Sequence, residues 1–317
     1  MNLTDLRATA SLLFKVAVAA ADPKLSLRRA LKELPLPTDL EGRIILIAFG
    51  KASIALMEEA LTHIPSDTQY QAIAVINYEN FQAIKGCEVH TSGHPLPDEN
   101  GVTASVRIIE ILKNAGEKDF ILTLISGGGS ALLPAPREGL TLQDKIDTNH
   151  ILLKNDYDII EINMIRQHLS ALKGGGLARI AQKSTIQSFI ISDVIGDDLR
   201  VVASGPTASP IATKKEAADL LKIRGHWSLL PTNVKTILSK QQASRPDVLG
   251  TRIKNSLICS NRQSLLAMQD AADLFDAKIL NFALGGNVAD AAGTIANDIH
   301  KNLENEAQAF IWGGETT

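Results

Sequence analysis

Aromatic residues make up only 4% of this 317-residue chain, too little to build a base-stacking platform or an aromatic sugar cradle. Cysteine is rarer still. Cys87 and Cys259 stand far apart and neither belongs to a C-x-x-C pair, so neither a disulfide framework nor a thiolate zinc site is indicated, and a reducing cytoplasm fits. No run of Lys and Arg is long enough to track a nucleic acid, and 32 basic against 35 acidic residues leave a formal charge of −3. Nucleic acid is therefore not an expected partner. Nor is a membrane: the apolar stretch LLFKVAVAAA is interrupted by Lys15, flanked by Asp5 and Asp22, and too short to cross a bilayer. It reads as an amphipathic helix.

What the chain does have is aliphatic residues in short runs. With 45% hydrophobic content it can bury one large core or two moderate ones. The runs RIILIAFG, QAIAVIN, FILTLIS, QSFIISDV, KNSLICS, AKILNFA and QAFIWGG alternate with longer helical patterns. This predicts an α/β fold with a mostly parallel sheet covered by helices on both faces. Residues 203–255, polar and punctuated by Pro and Gly, read as a surface excursion followed by a linker. A domain boundary is expected near residue 245, with a further strand, helix, strand unit beyond it.

Four strand ends carry the residues of chemical interest, and ligands of an open parallel sheet gather beyond the carboxyl ends of its strands. In IILIAFGKAS, Gly50 turns the chain and Lys51 opens the next helix, where the positive end of the dipole opposes a cation unless an anion binds there. A solvated surface lysine is the other reading. In FILTLISGGGSALL, three consecutive glycines, each disfavoured by roughly 1 kcal/mol in regular structure, separate two elements that both want to pack. Gly127, Gly128 and Gly129 can present bare amides to one point, with the Ser126 and Ser130 hydroxyls at its rim. Phosphate or carboxylate suits such a seat; tight strand-to-helix packing is the alternative, though one glycine usually serves for that. The stretch is neither a P-loop nor a dinucleotide fingerprint, and Leu132 stands where a nucleophile elbow needs its last glycine.

In FIISDVIGDDLRVVASGPT, Asp193 ends a strand, and Asp197 and Asp198 follow a glycine. Carboxylates so grouped suit Mg²⁺, which is held by one or two of them plus substrate phosphates. Asp197 and Asp198 serve equally well as caps of the next element. If residues 158–173 form one helix, Asn163, Arg166, Ser170 and Lys173 share an arc of about 80° with two cations and no acid, a second anion-facing surface. His94, in the Pro-rigid loop SGHPLPDENG, reads as structural, with Asp98 placed to start the following helix. Cationic and glycine-rich loops around a polyanion, with carboxylates for a metal, are the equipment of phosphoryl transfer without a P-loop.

Six ordered segments carry a resemblance over nearly the whole chain: FGKAS at 49–53, SGHPLPDENG at 92–101, LISGGGSALLPAP at 124–136, INMIRQHLSALKGGGLAR at 162–179, SDVIGDDLRVVASGPT at 192–207 and the final GGETT. In these the chain resembles the glycerate 2-kinase family, the class II glycerate kinases whose C-terminal region is called the MOFRL domain. The resemblance implies phosphorylation of D-glycerate to 2-phosphoglycerate with ATP and Mg²⁺. The cleft would lie between a Rossmann-like three-layer domain, 1–245, and a second α/β domain, 246–317. Lys51 matches the family's catalytic lysine; residues 126–130 would cradle a phosphate or the glycerate carboxylate. Arg166, Lys173 and Asp193 would line the same cleft, with Asp193 and Asp197 as metal ligands. In the family GGETT leads into a glycine-rich stretch containing Arg-Asn-Gln-Glu, so roughly a hundred family residues are expected to be absent and the second domain incomplete. A shortened product or one half of a split enzyme is expected over a complete protein with a smaller second domain. A non-catalytic remnant that binds glycerate or nucleotide is the competing reading. An NAD(P)H-dependent hydroxypyruvate reductase, a label some relatives bear, is disfavoured by the lack of a dinucleotide fingerprint. A homodimer and a separate C-terminal half stay open as partners.

Overall fold

The computed structural model describes residues 2–240, 252–272, 275–302 and 309–316. Strands β1 (Ile44–Phe49), β2 (Tyr70–Asn77), β3 (Glu88–Ser92), β4 (Phe120–Ile125), β5 (Thr185–Ile191) and β6 (Ile253–Cys259) form one parallel sheet in the order β3-β2-β1-β4-β5-β6. The chain therefore winds outward from β1 to β3, returns to β4 beside β1, and winds outward again. The reversal lies between β1 and β4, which is where doubly wound sheets open their ligand crevice.

The runs are continuous in hydrophobicity because both sheet faces are covered. Successive side chains of a strand point to opposite faces. Ile45, Ile47 and Phe49 of β1 join one core with Ile73, Ile121 and Ile186; Ile44, Leu46 and Ala48 join the other with Ala72, Leu122 and Phe189. Helices α1 (Leu3–Ala20) and α2 (Pro23–Glu33) precede the sheet, and α3 (Ser53–Leu61), α4 (Glu99–Lys113) and the single turn α5 (Gly129–Leu132) follow β1, β3 and β4. Leu27 and Leu31 of α2, with Leu56, Met57 and Ala60 of α3, cover the second face; Ala104, Ile108, Ile111 and Leu112 of α4 cover the first. Each fully buried Ile or Leu contributes roughly 1.5–3 kcal/mol. The Asp98 carboxylate accepts from the Gly101 N–H (2.9 Å), so it does cap α4. Strand β3 is one the sequence reading does not find: EVHTS is polar but for Val89, as an edge strand paired on one side can be.

Residues 203–239 are not a surface excursion. Helices α6 (Leu142–Lys154), α7 (Ile159–Arg166), α8 (Gly176–Ile180), α9 (Lys214–Ile223) and α10 (Thr232–Ser239) lie between β4 and β6 in sequence. Ala217, Leu221, Val234 and Ile237 of α9 and α10 pack with Leu152, Tyr157, Ile162 and Ile165 into a core of their own. Proline and glycine mark the turns between these helices, not a linker. The boundary expected near residue 245 lies outside the described residues; β6, beyond it, is the sixth strand of the large sheet. Helix α11 (Asn261–Ala271) and strands β7 (Ala277–Leu284) and β8 (Ala309–Gly314), with α12 (Val288–Asn302) between the strands, build a small parallel sheet whose core is Leu13, Leu265, Ala272, Ala277 and Ile311. Leu13 comes from α1, so the first helix of the chain serves the last sheet. Among the described residues no helix is long and apolar enough to cross a membrane.

Glu59 fixes α3, the helix that follows the Lys51 turn, to α2. Its buried carboxylate accepts from Arg28 Nε and Nη2 (2.8 and 2.7 Å) and pairs with His63 Nε2 (2.8 Å). The Arg28 guanidinium, opposed by burial and helped by His63, holds its pKa at about 2, against an ordinary value of 4.5. The folded-state pKa is depressed, so this stabilisation is present above pH 4.5 and is lost as the pH falls toward 2. Glu59→Gln should lower stability at pH 7 by about 2 kcal/mol, allowing for the half-exposed arginine, and flatten the acid limb, as urea melts across pH will show.

A candidate active site at the strand reversal

The ends of β1 and β4 are clasped. Past β4, the Lys51 N–H donates to the Gly127 carbonyl (2.8 Å), the Ala52 N–H to Ser126 Oγ (3.0 Å), and the Ser126 N–H to the Phe49 carbonyl (3.1 Å). Gly50 makes this approach possible. Its φ is +114°, and a Cβ there would sit 2.3 Å from Ser126 Oγ. Lys51 is exposed and lies in the turn ahead of α3, not in the first turn of the helix as expected.

Each of the three glycines has its own neighbour. A Cβ on Gly127 would fall 1.9 Å from Asp193 Oδ2. One on Gly128, where φ is +83°, would meet His94 Nε2 at 3.1 Å and Lys51 Cγ at 3.2 Å. One on Gly129 would press on Phe49 and Ala203, both at 2.9 Å. Two glycines thus let charged or polar side chains lie on bare backbone, and the third serves packing. Lys51, His94 and Asp193, from three different loops, meet over Gly127 and Gly128. His94, expected to be structural, belongs to this group; burial first and the Lys51 charge second push its pKa down, against Glu79 and Asp193, so the ring is neutral at pH 7.

The serine hydroxyls do not stand free at a rim. Ser126 is buried, with its Oγ accepting from Ala52, while Ser130 Oγ shares a hydrogen bond with Ser204 Oγ (2.6 Å). Ser204 Oγ donates to Asn163 Oδ1 (2.7 Å), and Asn163 Nδ2 donates to the Ile159 carbonyl (2.9 Å). Buried Asn163 therefore reaches Ser130 through Ser204.

The helix expected over 158–173 ends at Arg166, passes through one 3-10 turn at Gln167–Leu169, and gives way to extended Ser170. The shared arc does not exist as a helical face. Arg166 and Lys173 nevertheless meet, in a cavity of about 80 Å³ that they line with Ser130, Asn149 and Lys145. Lys173 is buried and its Nζ donates to the Ser130 carbonyl (2.5 Å). Burial, then Arg166 and Arg137, push the Lys145 pKa down to about 7; burial, then Lys145 and Arg166, hold Lys173 well below its ordinary value; burial also lowers Arg166. Among the described residues lining this cavity there is no carboxylate, and Asn149 Oδ1 is buried without a hydrogen-bond partner. Lys145 was not foreseen. It is one lysine on an amphipathic helix, and only tertiary packing carries it to Arg166.

A larger cleft, about 560 Å³, lies between the loop after β5 and the small sheet. Asp193 and Asp197 line it, facing Asn261, Arg262, Phe282 and Glu315. Arg262 lies over the Phe282 ring, 4.4 Å from its centroid. Asp198, by contrast, is taken up by Arg200, through the Arg200 N–H (2.9 Å) and the guanidinium (2.7 to 3.1 Å). The two adjacent aspartates thus divide into one facing the cleft and one closing a local turn. Arg166 and Lys173 do not share a cavity with Asp193; Ser130 borders the first pair and Gly127 touches the second. Gly127→Ala should displace the Asp193 carboxylate from the bare backbone, costing roughly 1–3 kcal/mol by overpacking, which denaturant melts will measure.

Comparison with known proteins is consistent with this geometry. Residues 9–239 match a family described as a domain of unknown function (DUF4147). A glycerate 2-kinase of Pyrococcus horikoshii is 34% identical over 338 residues, covering 100% of this chain and 75% of the relative. A putative hydroxypyruvate reductase of Agrobacterium vitis is 38% identical over 226 residues, covering 71% of this chain and 50% of the relative. The crystal structure of glycerate kinase from Thermotoga maritima superposes with a TM-score of 0.88 at 28% identity, over 99% of this chain and 75% of that one. With a whole-length relative above 30% identity and a family model over most of its residues, the chain belongs to the glycerate 2-kinase family.

Proposed function

We propose that this protein transfers the γ-phosphoryl group of ATP to a hydroxyl of D-glycerate, giving 2-phosphoglycerate. The observation that carries the reading is the convergence of Lys51, His94 and Asp193 on the bare backbone of Gly127 and Gly128 at the strand reversal. Phosphoryl transfer asks the protein for position and charge above all. In this reading the carboxylate of glycerate enters the cavity of Lys145, Arg166 and Lys173 beside Ser130, with the loop 126–130 as the floor. The nucleotide occupies the larger cleft, whose volume suits a small-molecule ligand. The attacking hydroxyl oxygen forms a bond to the γ-phosphorus, the bond to the bridging oxygen breaks, and its electron pair leaves with ADP. Neutral His94 is placed to take the hydroxyl proton. The Lys51 ammonium neutralises charge on the moving phosphoryl group.

Two cleft-facing carboxylates, with room for water and phosphate oxygens, fit Mg²⁺ better than a metal caged by protein. Asp193 and Asp197 would hold it, and it would supply charge neutralisation across the phosphates. The division into units 1–245 and 246–317 is kept as part of this proposal, with β6 of the second completing the sheet of the first and the small sheet beyond it contributing the far wall of the cleft. The two free cysteines, Cys87 and Cys259, fit a cytoplasmic setting.

An ADP-release assay with D-glycerate should show turnover, and Lys51→Met should lower it by roughly 10²- to 10³-fold while circular dichroism stays unchanged. Undiminished turnover in that variant removes Lys51 from the chemistry; glycerate or ATP binding without ADP release in the wild-type chain supports the remnant reading instead. Hydroxypyruvate with NADH is expected to give no loss of cofactor absorbance. Lys145 supplies a pH test. With a pKa of about 7 it is mostly neutral at pH 8, and a carboxylate bound beside it raises that value, so binding takes up a proton. Calorimetry of D-glycerate at pH 8 in buffers of different ionisation enthalpy should record the uptake, and Lys145→Met should reduce it.

A further inference from the structure

The cations of the cavity beside Ser130 can only donate hydrogen bonds, and one further lining side chain offers the opposite. Asn149 stands on α6 four residues after Lys145, so the two side chains leave the same face of the helix, with Cβ atoms about 5–6 Å apart. Its Oδ1 is buried without a hydrogen-bond partner. We infer that Asn149 recognises the C3 hydroxyl of D-glycerate, and so selects a 2,3-dihydroxy acid over a 2-hydroxy acid that lacks that group. The inference rests on the reading, given above, that the glycerate carboxylate enters the cavity of Lys145, Arg166 and Lys173.

A hydroxyl needs somewhere to send its proton, and ammonium and guanidinium groups have no lone pair to offer. The acceptors near the cations are already engaged. Ser130 Oγ shares a hydrogen bond with Ser204 Oγ (2.6 Å), the Ser130 carbonyl receives Lys173 Nζ (2.5 Å), and the Leu169 carbonyl receives Lys145 Nζ (3.4 Å). His150, another lining residue, is exposed. Among the described lining residues, the Asn149 oxygen is the buried side-chain acceptor left without a donor.

A buried amide oxygen with nothing to accept from is costly. A ligand hydroxyl that reaches it removes the cost, whereas a methyl group in the same place leaves it standing, so the site discriminates by an unmet hydrogen bond and not by shape alone. The cavity, about 80 Å³, exceeds several times the ~10–15 Å³ that one water needs, which suits a small acid and not a nucleotide. Pro95 and Leu96, which follow His94 in its loop, line the same cavity. With the carboxylate on the cations and the C3 hydroxyl on Asn149, the C2 hydroxyl is the one left for transfer, in agreement with 2-phosphoglycerate as product.

The test is calorimetric titration of the full chain, without nucleotide, with D-glycerate and separately with D-lactate, which has the same configuration at C2 and lacks only the C3 hydroxyl. The wild-type chain should bind D-lactate about ten-fold or more weakly than D-glycerate. Asn149→Leu should lose that factor for D-glycerate, keep its affinity for D-lactate, and so bind the two within about three-fold of each other. Asn149→Ala should show the same ratio without the bulk of leucine. Free of ligand, Asn149→Leu should melt no lower than the wild-type chain, because the oxygen it removes has no partner; a structural role predicts a lower melting temperature and an equal loss for both acids. Equal binding of the two acids by the wild-type chain, discrimination that survives both substitutions, or no binding of D-glycerate overturns the inference. ADP release is scored apart: its absence overturns the phosphoryl-transfer reading, while the binding ratios still decide the role of Asn149.

Discussion

The clasp between the ends of β1 and β4 is the constraint on which the rest of the site depends. Two neighbouring parallel strands run out at the point where the winding of the sheet reverses, and their loops are forced apart to opposite sides. Here the loops are instead tied to each other by the Lys51 and Ala52 amides on Gly127 and Ser126. The ties need a residue without a side chain at 50, because a Cβ would occupy the place of the Ser126 hydroxyl. They also carry Lys51 over Gly128, to His94 from the β3 side and Asp193 from the β5 side. One backbone junction thereby gathers side chains from loops far apart in sequence.

Electrostatics around this junction are unbalanced in a directed way. On one side, Lys145, Arg166 and Lys173 crowd a small cavity with no acid among its described lining residues; on the other, Asp193 and Asp197 face a larger cleft. Removing charge from water is costly unless it is paired. The structure meets that cost partly by pushing lysine proton affinities down, and a bound anion would complete the pairing. Ser130 joins the two halves: its carbonyl receives the Lys173 ammonium and its hydroxyl is held through Ser204 by Asn163.

Much of the sheet was legible because a strand buried on both faces leaves a mark that local reading can find, an unbroken aliphatic run closed by a turn. Strand β3 left no such mark, since an edge strand needs little apolar character. The triple glycine was legible as a place where backbone must be bare, and Lys51 as a cation in an unusual position. The purpose of each glycine was not, because it is set by Asp193, His94 and Phe49, residues brought there from elsewhere in the chain. The polar arc on a single long helix was a product of extending one period too far. A 3-10 turn and an extended residue break it, yet Arg166 and Lys173 still converge, by chain reversal instead of helical spacing.

What the amino-acid sequence determined alone is local: which runs are strands, where glycine must stand, and which segments carry unpaired charge. Those follow from hydrophobic periodicity and from backbone sterics, both of which act over a few residues. Tertiary structure decided the strand order, the pairing of α1 with the last sheet, and the company each charged side chain keeps. Those depend on contacts between residues separated by tens to hundreds of positions, which no local pattern encodes. Lys145 and His94 look ordinary in sequence because their surroundings, low in water and crowded with cations, exist only once the chain has folded.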